Sequence, residues 1–419
     1  MSVKDKVKQQ IEKNSGTLPT FSEPVKVGSI ELEQLLIAIE QNAKQRRERG
    51  KEERPYYAIE LIKESRLSAL RLPVELGGGG ASIRELFYVL IRLAEADPPD
   101  VAHSLRYHYY QVEQFLRAPV SDRKDRWLKR IAAGEIIGNA FTEISARNVG
   151  TYTFDTSLTP DGSGYRLNGT KYFSTGTGTL FADWVDVLAS NWKGETVSAL
   201  IPTNREGVMM KDDWDGIGQR LTGSGTTILN NVFVNEEEVT ITQETDTPFN
   251  SHLQLFLHVV IAGILRNVVT DAKDLVHSRR RTFTFAAAET AAADPQLQQV
   301  IGELSSITFA AEAIVLTAAE ALDAAVNSAV DGVIDYGLSH EASLQAAQAK
   351  VVIDKLALKA STLLFEVGGA SATKQSAHLD RHWRNIRTIA SHNPTVYKAR
   401  AIGNYVVNGT ELPIQEVYF

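Results

Sequence analysis

Tyr165-Arg166-Leu167-Asn168-Gly169-Thr170-Lys171-Tyr172-Phe173-Ser174-Thr175-Gly176 marks a change of period in this chain. Apolar and polar residues alternate into it, as on a strand with one buried face, and Asn168-Gly169 predicts a tight hairpin turn. Just ahead, Pro160-Asp161-Gly162-Ser163-Gly164 predicts another turn. Further strands are expected over Tyr152 to Leu158, Trp184 to Ser190, Val197 to Pro202 and Thr226 to Val234. Several short strands joined by turns make a small antiparallel barrel or sandwich.

In both directions from this region the period becomes helical. Upstream, Ile30, Leu32, Leu35, Leu36 and Ile39 are spaced by helical turns within Ile30 to Arg49, and Ile83 to Ala94 repeats the pattern. Gly77-Gly78-Gly79-Gly80 between them is a loop. Downstream, Leu253 to Arg281, Pro295 to Ser328 and Ser339 to Val367 are rich in Ala and Leu, which predicts long helices joined as a bundle. The expected chain is mainly α with a central β domain: an N-terminal helical domain over 1–138, the β domain over 139–245 and a C-terminal helical bundle over 246–419.

Composition narrows the function. Of 419 residues 43% are hydrophobic and 23% charged, which excludes a largely disordered chain. The net charge of −7 disfavours nucleic acid and anionic membranes as partners. Cysteine is absent, and the only methionines are Met1, Met209 and Met210. Disulfides, thiolate metal sites and a cysteine nucleophile are therefore excluded. No cluster of His and acidic residues has metal-ligand spacing, so no metal is expected. No strand-linked G-x-G-x-x-G occurs, so a Rossmann domain is not indicated. Met1 to Lys6 mixes charges as no signal peptide does, and Leu253 to Leu265 is too short and polar to span a bilayer. The latter reads as a buried core helix, and the expected location is the cytoplasm.

Helical domain, β domain and bundle in this order resemble the acyl-CoA dehydrogenase superfamily, and several motifs carry the likeness. Pro73-Val74-Glu75-Leu76-Gly77-Gly78 resembles its "P-x-x-x-G-G" loop, and Phe141-Thr142-Glu143 its "T-E" segment. Gly169 to Thr175 resembles its flavin segment, Arg280-Arg281-Thr282-Phe283 its "R-x-x-F", and Glu366-Val367-Gly368-Gly369 its late "Q-x-x-G-G". Superfamily dehydrogenases abstract a proton with a glutamate. By ungapped reading the two positions that supply it are Asn393 and Leu257 here.

A different branch fits better. Trp383-Arg384-Asn385-Ile386-Arg387-Thr388-Ile389-Ala390-Ser391-His392-Asn393-Pro394 resembles the "W-R-N-x-R-T-H-x-x-H-D-P" of the flavin-dependent monooxygenases on this fold, among them the dibenzothiophene monooxygenases and sulfur-acquisition oxidoreductases. His103-Ser104-Leu105-Arg106-Tyr107-His108 resembles their "H-x-x-x-Y-H", Gly138-Asn139-Ala140 their "G-N-A", and Asp212 to Arg220 their "D-D-W-x-x-I-G-x-R".

The resemblance implies a two-component enzyme. A separate reductase supplies reduced FMN, with FAD the alternative, and a C4a-hydroperoxyflavin formed from O2 passes oxygen to a small organosulfur or amine substrate. It implies His392, Thr175, His103 and Tyr107 as catalytic, with His392 orienting or protonating the peroxide. It implies Asn139, Phe141, Thr142, Ser174, Thr175, Arg280, Phe283, Gly368, Gly369 and Asn393 as flavin contacts. His103 and Tyr107 are expected on one helix face, and His108, off that face, as structural. Ile389 stands where the branch has a first histidine, leaving His392 alone. The superfamily's C-terminal helices pair into homotetramers, which the alanine-rich stretches Ala286 to Ala293 and Ala310 to Ala325 suit. An acyl-CoA dehydrogenase and a DNA-associated flavoprotein are the alternatives. Sulfur scarcity in the chain suits both a peroxide-handling enzyme and one made when sulfur is short.

Overall fold

The computed structural model describes residues 20–49, 53–96, 99–144, 153–177, 181–241 and 249–419; Met1 to Lys6 and Tyr152, read above, lie outside them. The first helices are α1 (Ile30–Glu48), α2 (Tyr56–Glu64), α3 (Ile83–Ala96), α4 (Asp100–Ser104), α5 (Arg106–Arg117) and α6 (Asp122–Ala132). Ser29 and Ser121 cap α1 and α6 by accepting from the backbone N–H of Leu32 and Lys124, which would otherwise be unpaired in the first turn. His108 bridges this part to the sheet. Its Nδ1 accepts from the Ile137 N–H at 3.2 Å, so Nε2 carries the proton and donates to the Ser68 carbonyl at 2.9 Å. The structural reading of His108 holds.

The sheet has eight strands, β1 (Ile137–Ala140), β2 (Ser157–Asp161), β3 (Gly164–Lys171), β4 (Trp184–Asn191), β5 (Thr196–Pro202), β6 (Val208–Met210), β7 (Thr227–Asn235) and β8 (Val239–Ile241). Their order is β6-β7-β3-β2-β4-β5-β8, with β1 also on β4. Two features differ from expectation. The sheet is mixed, because β1 and the start of β2 run parallel to β4. Neither is joined to β4 by a tight turn, so nothing forces the antiparallel direction there. The Asn168-Gly169 pair is also not a turn. The hairpin between β2 and β3 turns at Gly162-Ser163, and Asn168-Gly169 lies inside β3 where its register against β7 shifts. Asn168 Oδ1 accepts from the Asn231 N–H at 2.7 Å. A Cβ at position 169 would sit 2.3 Å from Thr156 Oγ1. The glycine serves a close backbone approach at a bulge, a use its sequence context does not distinguish from a turn.

Glu143 fastens the chain beyond β1. Its carboxylate accepts from the Asp155 and Thr156 N–H groups (2.8 and 2.9 Å), Thr156 Oγ1 (2.5 Å) and Lys171 Nζ (2.7 Å). These donors hold its carboxyl below its ordinary pKa although burial opposes them. Lys171 is fully buried, with its ammonium 4.1 Å from the centre of the Phe154 ring.

The bundle comprises α7 (Asn250–Ser278), α8 (Pro295–Asn327), α9 (Tyr336–Gly368), α10 (Asp380–Ala390) and α11 (Thr395–Asn408). Among the described residues α7 and α8 are long and apolar enough to cross a bilayer. Leu255 to Leu265 of α7 are buried against α3, α8 and α9, as expected of a core helix. The close α3 contact needs Gly263, where a Cβ would lie 2.4 Å from the Ala94 Cβ. α7 stops at Ser278, short of Arg281, because Arg279 turns extended and its guanidinium donates to the Val367 and Arg281 carbonyls. A buried hub holds the corner between α10 and α11. Asp354 accepts from His258 Nε2 (3.2 Å), Lys350 Nζ (3.0 Å) and Thr395 Oγ1 (2.6 Å), and Lys350 also donates to the Ala390 carbonyl (3.0 Å).

Buried imidazoles make the fold acid-sensitive. Burial pulls His103 and His108 down to about 4, and pulls His252, ringed by Phe87, Phe249 and Phe256, down to about 3. The unfolded imidazoles bind protons below about pH 6.5 while the folded ones do not. The unfolded state therefore holds more protons between these values, and stability is lost as pH falls through that window. Each ring contributes about 1.4 kcal/mol per pH unit there. The urea midpoint should fall steadily from pH 7 to pH 5; a flat profile would mean that these rings are protonated in the native state.

Candidate active site

A cavity of about 660 Å³ opens between the sheet, α4 and α5, the start of α7, the α10–α11 corner and residues 417–418. Its walls are aromatic and aliphatic, with Phe141, Phe173, Trp214, Leu253 and Leu257 among them. Asn139, Thr142, Thr175, His103, Tyr107 and His392, all expected from the sequence, line it as well. Among the described residues no aspartate or glutamate does. Leu257 faces the cavity as an alkyl group, and so does Ile389.

The remaining expected flavin contacts lie elsewhere in this chain. Ser174 is buried just past β3, accepting from Thr227 Oγ1 at 3.0 Å. Asn393 sits behind the wall, where its Nδ2 donates to Gln254 Oε1 (2.6 Å) and the Tyr418 carbonyl (3.2 Å). It pins the segment that carries Val417 and Tyr418 into the cavity. Arg280 and Phe283 are exposed beyond α7, near Gly368 and Gly369 at the end of α9, and none of the four lines the cavity. Of the ten residues that the resemblance implies as flavin contacts, Asn139, Phe141, Thr142 and Thr175 line the cavity.

His103 and Tyr107 reach the cavity from two short helices, since the chain breaks between α4 and α5 at Leu105, rather than from one face. Their polar atoms are committed differently. Gln219 Oε1 can only accept, so His103 donates from Nδ1 at 2.7 Å and keeps a lone pair on Nε2. Gln219 is held in the left-handed region (φ 54°) by Asn385 Oδ1, which accepts from its N–H at 2.7 Å. From the same loop Thr222 and Ser224 join Thr175, which follows β3, in a chain of hydroxyls, each step 2.7 Å. Tyr107 donates its phenolic proton to Asp186 Oδ2 at 2.6 Å. Asp186 also accepts from Ser198 and Gln111, and burial raises its carboxyl.

Tyr107 therefore offers the cavity its ring edge and not a free proton. Tyr107→Phe should cost about 1–3 kcal/mol of stability by leaving a buried acceptor short of a donor, with kcat changed little. A drop in kcat with stability intact would restore the phenol as a proton donor.

His392 lies at the α10–α11 corner, where its side chain is exposed to the cavity that it lines. Arg106 Nη1 donates to its Nε2 at 3.3 Å, so its proton resides on Nδ1. Burial and the charge of Arg106 push its pKa well below the ordinary value, so the ring is neutral near pH 7. The cavity thus presents two neutral imidazoles in opposite states, His103 with a lone pair free and His392 with an N–H free. The sequence matched Ser224 and Phe173 to motif positions without giving them a role, and it did not single out Arg106 or Gln219. Arg106 and Gln219 occupy unspecified positions inside quoted motifs, and nothing in their local sequence marks them.

Comparison with known proteins agrees with this arrangement. Residues 255–397 match the acyl-CoA dehydrogenase C-terminal domain family. The chain is 32% identical to a dibenzothiophene monooxygenase of Mycolicibacterium goodii, over 83% of this chain and 86% of that one. It is 29% identical to a probable FMNH2-dependent monooxygenase, SfnC, of Pseudomonas putida, over 88% and 91%. Its structure is similar to methanesulfinate monooxygenase MsuC of Pseudomonas fluorescens, with a TM-score of 0.82 and 27% identity over 93% and 98% of the two chains. With this identity across most of its length, a matching fold and a cavity lined by no carboxylate among the described residues, the chain belongs to the flavin-dependent monooxygenases of the acyl-CoA dehydrogenase fold.

Proposed function

We propose that the protein is the oxygenase of a two-component system, which takes reduced FMN from a separate reductase and transfers one atom of O2 to a small sulfur or nitrogen compound. The observation that carries this reading is the cavity lining. It combines aromatic walls with polar and cationic donors and, among the described residues, holds no aspartate or glutamate. An α-proton abstraction needs a carboxylate beside the substrate, and leucine and a buried asparagine occupy the two positions that would supply one.

The residues fit a flavin. Phe173 is held at φ 56°, a region disfavoured for an aromatic residue, with its ring centre 5.6 Å from that of Trp214. That pair and Phe141 suit a flat ring, and Asn139, Thr142 and Thr175 offer polar contacts to its edge. Reduced FMN, when bound, supplies the two electrons that activate O2. The apolar walls and the segment carrying Tyr418 keep water out. His392 donates from Nδ1 toward the reacting oxygen, and the chain Thr175–Ser224–Thr222 holds its hydroxyls in fixed order.

Homo-oligomer assembly belongs to the same reading and is supported by exposed apolar side chains such as Phe285 and Phe309. A scarcity of cysteine and methionine suits a sulfur-scavenging role. The test is chemically reduced FMN, ¹⁸O2 and a panel of organosulfur and amine compounds, without NADH or reductase. One ¹⁸O atom per product is expected; reoxidation of FMN with no label in any compound would refute the reading.

A further inference from the structure

The relatives include enzymes named for two chemically different substrates, a neutral aromatic thioether and a sulfinate anion. The cavity itself distinguishes them. Arg106, at the start of α5, lines it with a guanidinium that has no carboxylate partner among the described residues. Its Nε donates to the Leu253 carbonyl at 2.9 Å, which fixes the plane of the group, and Nη1 reaches His392 Nε2 at 3.3 Å. A second guanidinium, Arg387, lines the same cavity, and its Nε donates to Ser391 Oγ at 3.1 Å.

A buried cation with no carboxylate partner among the described residues is costly, and burial draws Arg106 down to about 10. A neutral thioether in this cavity would complete the desolvation and leave the charge uncompensated. An oxyanion would accept parallel N–H bonds from the guanidinium, the geometry arginine suits best.

We propose that the substrate is a small organic sulfinate whose oxygens pair with Arg106, so that Arg106 sets the specificity of the site. The inference rests on the monooxygenase reading above. Chemistry selects the sulfinate among oxyanions. A carboxylate has no atom to oxidise and a sulfonate sulfur has no lone pair left, whereas a sulfinate sulfur keeps one. The balance is RSO2⁻ + O2 + FMNH2 → RSO3⁻ + H2O + FMN. A new S–O bond forms, the O–O bond breaks, the flavin is oxidised, and both its hydrogens leave in water. The negative charge stays on the substrate throughout, so its pairing with Arg106 persists from substrate to product. The apolar walls receive the organic group.

The test compares methanesulfinate and benzenesulfinate with dimethyl sulfoxide and dibenzothiophene, using reduced FMN and O2. The wild-type protein should convert the sulfinates with the higher kcat/KM. Arg106→Gln should raise KM for sulfinate roughly 100-fold, with a smaller effect on the neutral compounds, and Arg106→Lys should recover part of the loss. A readout independent of turnover and of any variant is thermal stabilisation of the flavin-free wild-type protein, expected with sulfinates and not with dimethyl sulfoxide. Preference for the neutral compounds, or an Arg106→Gln protein that folds and keeps its sulfinate KM, would overturn the proposal while leaving the monooxygenase reading in place. Reoxidation of FMN without conversion of any compound would overturn both.

Discussion

Replacing His392 by alanine is expected to lower kcat for oxygen transfer by roughly 10²–10⁴-fold, the usual contribution of a positioned proton donor, and to divert the reduced flavin's electrons into free hydrogen peroxide. Two observations motivate this. His392 is neutral and keeps its proton on Nδ1, because Arg106 donates to Nε2. The residues on both sides of it are clamped: Lys350 grips the Ala390 carbonyl, Asn393 is bound to Gln254, and Thr395 is bound to Asp354. The ring is thus delivered to the cavity by a corner that its own loss does not dismantle. With isoleucine at position 389 there is no second histidine on this corner to compensate. Product and hydrogen peroxide should be quantified together in single turnovers with reduced FMN. An unchanged product yield would remove His392 from the chemistry. A loss of folding, checked by circular dichroism, is not expected.

Glu143→Ala should destabilise the protein by about 3–5 kcal/mol, the cost of breaking a buried ion pair from one side. Lys171 would keep only the Phe141 carbonyl at 3.1 Å and the Phe154 ring, and two backbone N–H groups would lose their acceptor. The pH dependence identifies the cause. Burial already pulls Lys171 down to about 8 with its partner present. Removal of Glu143 lowers it further, so the folded variant releases this proton at a pH where the unfolded chain still holds it. Its stability then rises with pH, and its deficit against wild type narrows as pH rises toward about 8, above which both folded proteins have released the proton. Denaturant titrations at several pH values check this. A deficit independent of pH would assign the effect to the lost hydrogen bonds instead of the stranded ammonium. Glu143 belongs to the segment that resembles the superfamily's "T-E", and its carboxylate is structural.

Much of the architecture was legible because periodicity is a local property. Alternation over Val197 to Pro202 and helical spacing over Ile83 to Ala94 each require one face to be buried, whichever partner buries it. The strands and helices found there match to within a residue or two. Asn168-Gly169 misled because the same dipeptide serves a left-handed turn and a bulge, and only the neighbouring Thr156 decides which. In the site, Asn139, Phe141, Thr142, Thr175, His103 and His392 were legible as polar or aromatic residues in motifs of a known order. Asn393 sits in the same motif, yet its amide is spent on Gln254 and Tyr418.

The sequence by itself determined the three-part order of elements, the absence of cysteine chemistry and the loss of a carboxylate at both positions where a proton-abstracting base would stand. Those are matters of residue identity and local spacing. Only the tertiary structure decided which polar groups are committed and which are left over. His103 acquires its tautomer from Gln219, Gln219 its backbone from Asn385, and His392 its proton position from Arg106. Each of these pairs joins residues distant in the chain. Whether a buried donor or charge is satisfied depends on every group packed around it, and no pattern along the chain encodes that sum.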